Sequence, residues 1–286
     1  MLQRFEYAAP TDRAELLRLL AESAEYRAQA EYGARTEHGA MAKLLAGGTD
    51  LLVNIRAGVA KPSLVIDVKK VAGYAGISWS ESEGLIIRPA VTINEILRDA
   101  AVSSRFPLLA ECARDLASYQ IRNRATVIGN VVNASPCSDM APALLCLGAR
   151  ALVASSRGRR EIPFSGFFTG VKKTALGSDE ILEAIVVPAS SAGARGAYRK
   201  LKRIAGHDLG IVGVALSRKD GLVKIGISSS APTPILVEGL EEGDSVDKVA
   251  AAAREAISPI SDVRCSKEYR EFMVETFVKR LMREVA

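Results

Sequence analysis

One stretch constrains this chain more than any other: Lys43-Leu44-Leu45-Ala46-Gly47-Gly48-Thr49-Asp50, continuing as Leu51-Leu52-Val53. A short apolar run that breaks at paired glycines, a hydroxyl and a carboxylate, then resumes, reads as strand, tight turn and helix start. Glycine permits positive φ and lets backbone N–H groups approach a ligand with no Cβ in the way. The free N–H groups of the following helix would suit a phosphate or pyrophosphate. Asp50 is equally well placed to cap that helix, so the same residues also read as a plain strand-to-helix turn. There is no Gly-x-Gly-x-x-Gly after the first strand and no Gly-Lys-Ser/Thr. That argues against a Rossmann dinucleotide site and against a P-loop.

The flanking pattern places this turn in a small βαβ unit. A strand is expected around Arg4 to Ala8. Pro10-Thr11-Asp12 then announces a helix running through Leu16, Leu17, Leu19 and Leu20, and Tyr32 to Gly39 reads as a polar loop. Strands follow at Leu44 to Ala46, Ser63 to Val68 and Gly84 to Pro89. Thr92-Ile93-Asn94-Glu95 is a capping box, and Arg105 to Ser118 an amphipathic helix. The segment from Gln120 to Asp139 is polar enough that burial would require partners, so it reads as a loop packed on a ligand. Beyond it come a helix at Ala141 to Leu147 and a hairpin of Ala149 to Ala154 with Arg159 to Pro163. The basic Arg157-Gly158-Arg159-Arg160 reads as a solvated turn. Strands at Ile181 to Val187 and Ala197 to Ile204 precede a hairpin of Ile211 to Ser217 with Leu222 to Ser228. Two serine-opened helices, Ser245 to Ile257 and Ser266 to Val285, close the chain.

With 286 residues, 48% of them hydrophobic and 25% charged, the chain can bury about two cores. The net charge of +5 is dispersed, which fits anionic ligands better than nucleic acid. No signal peptide or transmembrane run is legible, so a cytoplasmic location is expected. Cys112, Cys137, Cys146 and Cys265 are too scattered for a zinc site, an iron–sulfur cluster or a disulfide framework, and read as buried thiols.

Taken together, Ala46 to Asp50 and Gln120-Ile121-Arg122-Asn123-Arg124-Ala125-Thr126-Val127-Ile128-Gly129-Asn130, completed by Ala134-Ser135-Pro136-Cys137-Ser138-Asp139, resemble the flavin-binding subunit of the molybdenum hydroxylases. That family includes the medium subunits of bacterial carbon monoxide dehydrogenase and of xanthine dehydrogenase-like enzymes. The likeness continues through Tyr198 to Arg203, Asp208 and Ser230-Ala231-Pro232-Thr233-Pro234. The resemblance implies an α+β chain with a two-subdomain FAD-binding fold of the vanillyl-alcohol oxidase (PCMH) type, followed by a C-terminal domain of antiparallel sheet plus helices. The expected division is 1–176, with subdomains of about 1–56 and 57–176, and then 177–286.

The resemblance also implies non-covalent FAD, since neither His38 nor His207 lies in a glycine turn. Leu45, Ala46, Gly47, Gly48, Thr49, Asp50 and Leu51 would approach the pyrophosphate from one side, and Thr126, Ile128, Gly129 and Asn130 from the other. Two backbone nests sharing one pyrophosphate is physically sensible. Ser135 belongs to the adjoining loop, Asp139 resembles the residue that binds nucleotide or ribityl hydroxyls, and Leu182 and Lys200 fall near the flavin border. No catalytic side chain and no metal ligand is implied in this chain. The molybdenum cofactor would sit in a large partner subunit and 2Fe-2S clusters in a small one, in a dimer of heterotrimers. FAD here would pass electrons to NAD, a quinone or oxygen.

A free-standing flavin oxidase and a flavin-free structural subunit are the rival readings. The latter draws on Ile128, which stands where the family usually has the first of two glycines. If that position required positive φ, a β-branched residue would cost on the order of 1 to 3 kcal/mol. A nanomolar flavin site is worth about 12 kcal/mol. The expectation is therefore weakened contact at the second turn, with the first carrying the greater share.

Overall fold

The computed structural model describes residues 4–31 and 42–286; the expected polar loop from Tyr32 to Gly39, with His38, lies outside them. The chain starts with β1 (Glu6–Ala8), α1 (Arg13–Glu31), β2 (Ala42–Leu45), α2 (Leu51–Arg56) and β3 (Leu64–Asp67). Asp12 begins α1 by accepting a hydrogen bond from the Glu15 N–H at 2.9 Å. The three strands form a parallel sheet in the order β1-β3-β2, with Leu16, Leu17 and Leu20 of α1 buried against Ile66. Parallel neighbours need a crossover, and the β2–α2–β3 crossover fixes the Gly47–Gly48 turn at the carboxyl end of β2.

The second layer comprises β4 (Ile77–Ser80), β5 (Gly84–Ile87), α3 (Ile93–Arg98), α4 (Ala100–Arg105), α5 (Pro107–Asp115), α6 (Tyr119–Arg122), α7 (Val127–Val132) and α8 (Met140–Cys146). It continues with β6 (Arg150–Ser155), β7 (Gly158–Pro163), the two-stranded β8 (Phe168–Gly170) and β9 (Lys173–Thr174), and β10 (Ile181–Val187). An antiparallel sheet has the order β4-β5-β10-β6-β7. Its strands alternate as a sheet with two distinct faces must. Leu85, Ile87, Ala151, Val153, Leu182 and Ile185 enter the largest core, beneath α3, α5, α7 and α8. On the other face Ala154 and Ile181 meet α1.

The third layer is the antiparallel sheet β11 (Arg195–Leu201), β12 (Val212–Lys219), β13 (Leu222–Ser228) and β14 (Ile235–Glu241), covered by α9 (Val246–Glu255) and α10 (Lys267–Glu284). Its opposite face lies on α5 and α8. A Cβ at Gly226 would stand 2.2 Å from the Pro142 carbonyl oxygen, so only glycine lets β13 and α8 touch backbone to backbone.

Two expectations change. The Gln120–Asp139 stretch is not all loop but contains two short helices, α6 and α7, because Ser118 and Thr126 supply N-caps by accepting from the Ile121 and Gly129 N–H groups. Asp50 makes no side-chain cap on α2. The 157–160 turn is exposed, as expected of a solvated turn, and its arginines pair at the surface, Arg157 to Asp179, Arg159 to Glu183 and Arg160 to Glu180, on the segment preceding and opening β10. Because β10 is the middle strand of the second sheet, we propose that the division of the chain falls between 188 and 194 rather than at 176/177. Because β3 completes the first sheet, we likewise propose that the first subdomain runs past residue 56.

Candidate functional site

The site is assembled from the backbone outward. Gly48 has φ +75° and closes the turn after β2. A Cβ at Gly47 would lie 2.1 Å from the Arg124 carbonyl oxygen and 2.9 Å from the Ala125 Cα. The two loops singled out in the sequence, far apart in the chain, therefore press backbone against backbone, and glycine is required for it. A hydrogen bond of 3.1 Å from the Asn133 amide to Asp50 Oδ1 ties the turn to the end of α7. This contact is where Asp50 directs its carboxylate, in place of the expected cap.

The N–H groups of Gly48, Thr49, Asp50 and Leu51 find no acceptor among the described residues, although the Leu52 and Asn54 N–H groups already bond back to Gly48 and Asp50. Four consecutive backbone donors without partners among the described residues are suited to an anion. Two cations stand beside it. Lys69 Nζ donates to the Ala46 carbonyl at 3.0 Å and to Asp67 at 2.7 Å. Lys172 Nζ donates to Asn133 Oδ1 at 3.0 Å.

The second loop is arranged differently. Thr126 caps α7, with its Oγ1 accepting from the Gly129 N–H at 2.9 Å, and the Asn130 N–H bonds to the Thr126 carbonyl at 3.0 Å. A Cβ at Gly129 would meet that Oγ1 at 2.8 Å, so glycine protects the cap. Ile128 is helical, 6% exposed and part of the main core, and it does not have positive φ. The strain considered for a β-branched residue there is absent. Among the described residues, the Ile128 N–H alone finds no acceptor in the first turn of α7, so most of the open donors belong to the first loop.

Behind these turns the 135–139 loop is held by the C-terminal sheet. The Ser229 N–H donates to the Pro136 carbonyl at 2.7 Å, with Ser229 at φ +65°, and Arg264 Nη1 lies 3.4 Å from Cys137 Sγ. Within the loop, Ser135 Oγ accepts from the Cys137 N–H, and Asn130 Oδ1 accepts from Ser138 Oγ at 2.6 Å.

Asp139 and Lys200 form a buried ion pair, Nζ to Oδ1 2.8 Å and to Oδ2 3.0 Å, with Lys200 also donating to the Asp115 carbonyl at 3.2 Å. The Tyr198 hydroxyl donates to Asp139 Oδ1 at 3.2 Å. Burial pushes the Asp139 carboxyl above its ordinary range, opposed by the Lys200 charge and hydrogen bonds. Burial also raises the Tyr198 phenol well above normal. Lys200 has thus spent its three donors on protein acceptors.

The structure therefore brings Gly47 to Leu51 and the Thr126 loop into contact, and pairs Asp139 with Lys200. Leu182 is 1% exposed, pairs with Val153 and lies in the main core, which also takes in Ile128. Asn133, Lys69 and Lys172 were missed in the sequence. Asn133 fell inside the polar stretch, but no local pattern marks a lysine that folds onto a distant carbonyl.

The family described as the FAD binding domain in molybdopterin dehydrogenase matches residues 3–190, and the CO dehydrogenase flavoprotein C-terminal domain matches 196–285. The carbon monoxide dehydrogenase medium chain of Hydrogenophaga pseudoflava is 33% identical over 98% of this chain and 96% of its own. A xanthine dehydrogenase FAD-binding subunit from Escherichia coli is 30% identical over 85% of this chain and 88% of its own. A solved carbon monoxide dehydrogenase from Hydrogenophaga pseudoflava superposes with a TM-score of 0.86 at 30% identity, covering 100% of this chain and 98% of that one.

Proposed function

The chain belongs to the family of FAD-binding medium subunits of the molybdenum hydroxylases, and on that premise we propose how its own residues serve an electron-transferring flavin site. The carrying observation is the run of four N–H groups from Gly48 to Leu51 with no acceptor among the described residues, in a turn set against the Arg124–Ala125 backbone. These groups fit the FAD pyrophosphate, which would complete hydrogen bonds that the protein leaves open. Leu45, Ala46 and Gly47 shape that turn. Thr126, Gly129 and Asn130 hold the opposing helix start, where the Ile128 N–H supplies a further donor. Ser135 and Asp139 lie in the adjoining loop, which Lys200 fixes from the C-terminal sheet. Leu182 would support the flavin from beneath through the core.

FAD, held non-covalently, would supply the redox chemistry, taking electrons one or two at a time. The protein contributes position, an anion cradle and the exclusion of water. We propose that electrons arrive from 2Fe-2S clusters of a small partner subunit, after substrate oxidation at a molybdenum-cofactor large subunit, and leave to NAD, a quinone or oxygen. A PCMH-type clasp of the first two layers around FAD, a dimer of heterotrimers and a cytoplasmic location accompany this reading. The flavin-free alternative drew its support from Ile128, and the helical backbone at that position removes it.

The test is an FAD titration of the purified chain, followed by the absorbance of oxidised flavin. Tight, stoichiometric loading is expected, with an affinity at least tenfold weaker in Gly47→Ala. A wild-type chain that stays colourless with excess FAD would sink the reading. Turnover of an organic alcohol by the isolated loaded chain would point instead to a free-standing oxidase.

A further inference from the structure

The outer face of the five-stranded sheet carries a groove of about 560 Å³, a volume typical of small-molecule sites. It lies on the side away from the main core. Along β5, Leu85 and Ile87 point into that core, whereas Ile86 and Arg88 line the groove. None of the residues assigned to the flavin site lines it. Its charged lining is four arginines, Arg13, Arg88, Arg159 and Arg160, against two glutamates, Glu161 and Glu183.

Most of these charges are already answered. A bulge between Leu182 and Ala184 leaves Glu183 without a partner on β6 and turns it into the groove, as bulges do when they re-aim a side chain. There it accepts from Arg13, from Arg159 Nε at 2.8 Å and from the Tyr74 hydroxyl at 3.2 Å, fastening α1 to the sheet. Arg160 is taken by Glu180 at 2.7 Å, and Glu161 by Arg150 at 2.6 Å. Arg88 is different. Its one hydrogen bond runs from Nη1 to Ser78 Oγ at 3.2 Å, and no carboxylate among the described residues pairs with it. A half-buried guanidinium with open donors, above an apolar floor of Ile86, Leu152 and Ala184, matches an anion carried on an apolar body.

We propose that this groove binds a small organic phosphate, its dianion held by Arg88 and its apolar body laid on Ile86, Leu152 and Ala184. The site is separate from the flavin turns and does not depend on their assignment. AMP is the probe, titrated calorimetrically into the full chain saturated with FAD, with adenosine and inorganic phosphate as separate arms. AMP binds, while either fragment alone binds at least tenfold more weakly. Arg88→Gln weakens AMP at least tenfold, and Arg88→Lys recovers part of the loss because it keeps the charge. Both variants keep the wild-type flavin absorbance and melting temperature, since no carboxylate is left unpaired.

Three results overturn the proposal: no AMP binding at about 1 mM; equal binding by Arg88→Gln; or phosphate alone binding as tightly as AMP, which would mark a general anion patch. AMP binding that vanishes when FAD is loaded would locate it in the glycine turn and also overturn the groove. Should the chain take up no FAD, absorbance reports that separately, and the Arg88→Gln comparison still decides the groove.

Discussion

Replacing Lys200 by Met tests the buried ion pair directly. Lys200 is 2% exposed at its side chain and stands 2.8 Å from Asp139, itself 12% exposed. At that distance and an effective dielectric of about 20, two unit charges attract by about 6 kcal/mol before desolvation is counted. Met fills much of the same volume but leaves the Asp139 carboxylate buried with only the Tyr198 hydroxyl for company. Losing one partner of a buried pair costs about 3 to 5 kcal/mol, because the remaining charge is uncompensated. With a urea slope of about 3 kcal/mol/M, the unfolding midpoint falls by about 1 to 1.7 M. The double variant Asp139→Asn/Lys200→Met removes the stranded charge and recovers most of that loss, since replacing a whole buried pair is often near neutral. Urea denaturation of the four proteins of this cycle isolates the coupling. A single-variant cost below about 1 kcal/mol, as for exposed pairs, or a double variant no better than Lys200→Met, would refute the reasoning.

Other substitutions separate binding from folding. Gly47→Ala places a Cβ 2.1 Å from the Arg124 carbonyl and must part the two loops, so FAD affinity falls at least tenfold in an absorbance titration. Ile128→Gly brings no gain in FAD affinity, since the position is helical; it lowers stability by about 3 to 5 kcal/mol from the core cavity and the helical glycine, read by thermal melting. Thr126→Ala removes the α7 cap and costs about 1 kcal/mol in the same assay. Hydrogen bonds from Arg264 hold the Asp262 carboxyl below its ordinary range against the opposing effect of burial, with the nearby Arg270 charge assisting. A depressed folded-state value means that this stabilisation is complete above the unfolded pKa of about 4 and is lost as pH falls below it. Asp262→Asn therefore flattens the acid limb of stability against pH, and an unchanged limb would contradict the assignment.

Most secondary-structure elements could be read from residue order alone because their signals are local. The Thr92–Glu95 capping box is present as written, with Thr92 and Glu95 bonded reciprocally. The short apolar run of Ile181 to Val187 gives β10, and the apolar spacing after Asp12 gives α1. The Gly47–Gly48 pair announced a turn because only glycine suits its backbone. The polar stretch from Gln120 misled because its N-cap residues look the same whether they close a turn or open a helix.

What the sequence determined by itself was most of the elements and the two loops suited to a nucleotide, since propensity, capping and glycine freedom act within a few residues. Tertiary structure alone decided that β10 belongs to the second sheet and that Asp50 bonds Asn133 rather than capping α2. It likewise decided that Lys200 spends its charge on Asp139 and that Arg88 faces the groove with no carboxylate pairing it among the described residues. Each of these outcomes depends on which distant groups share a desolvated space, and no local pattern encodes that distance.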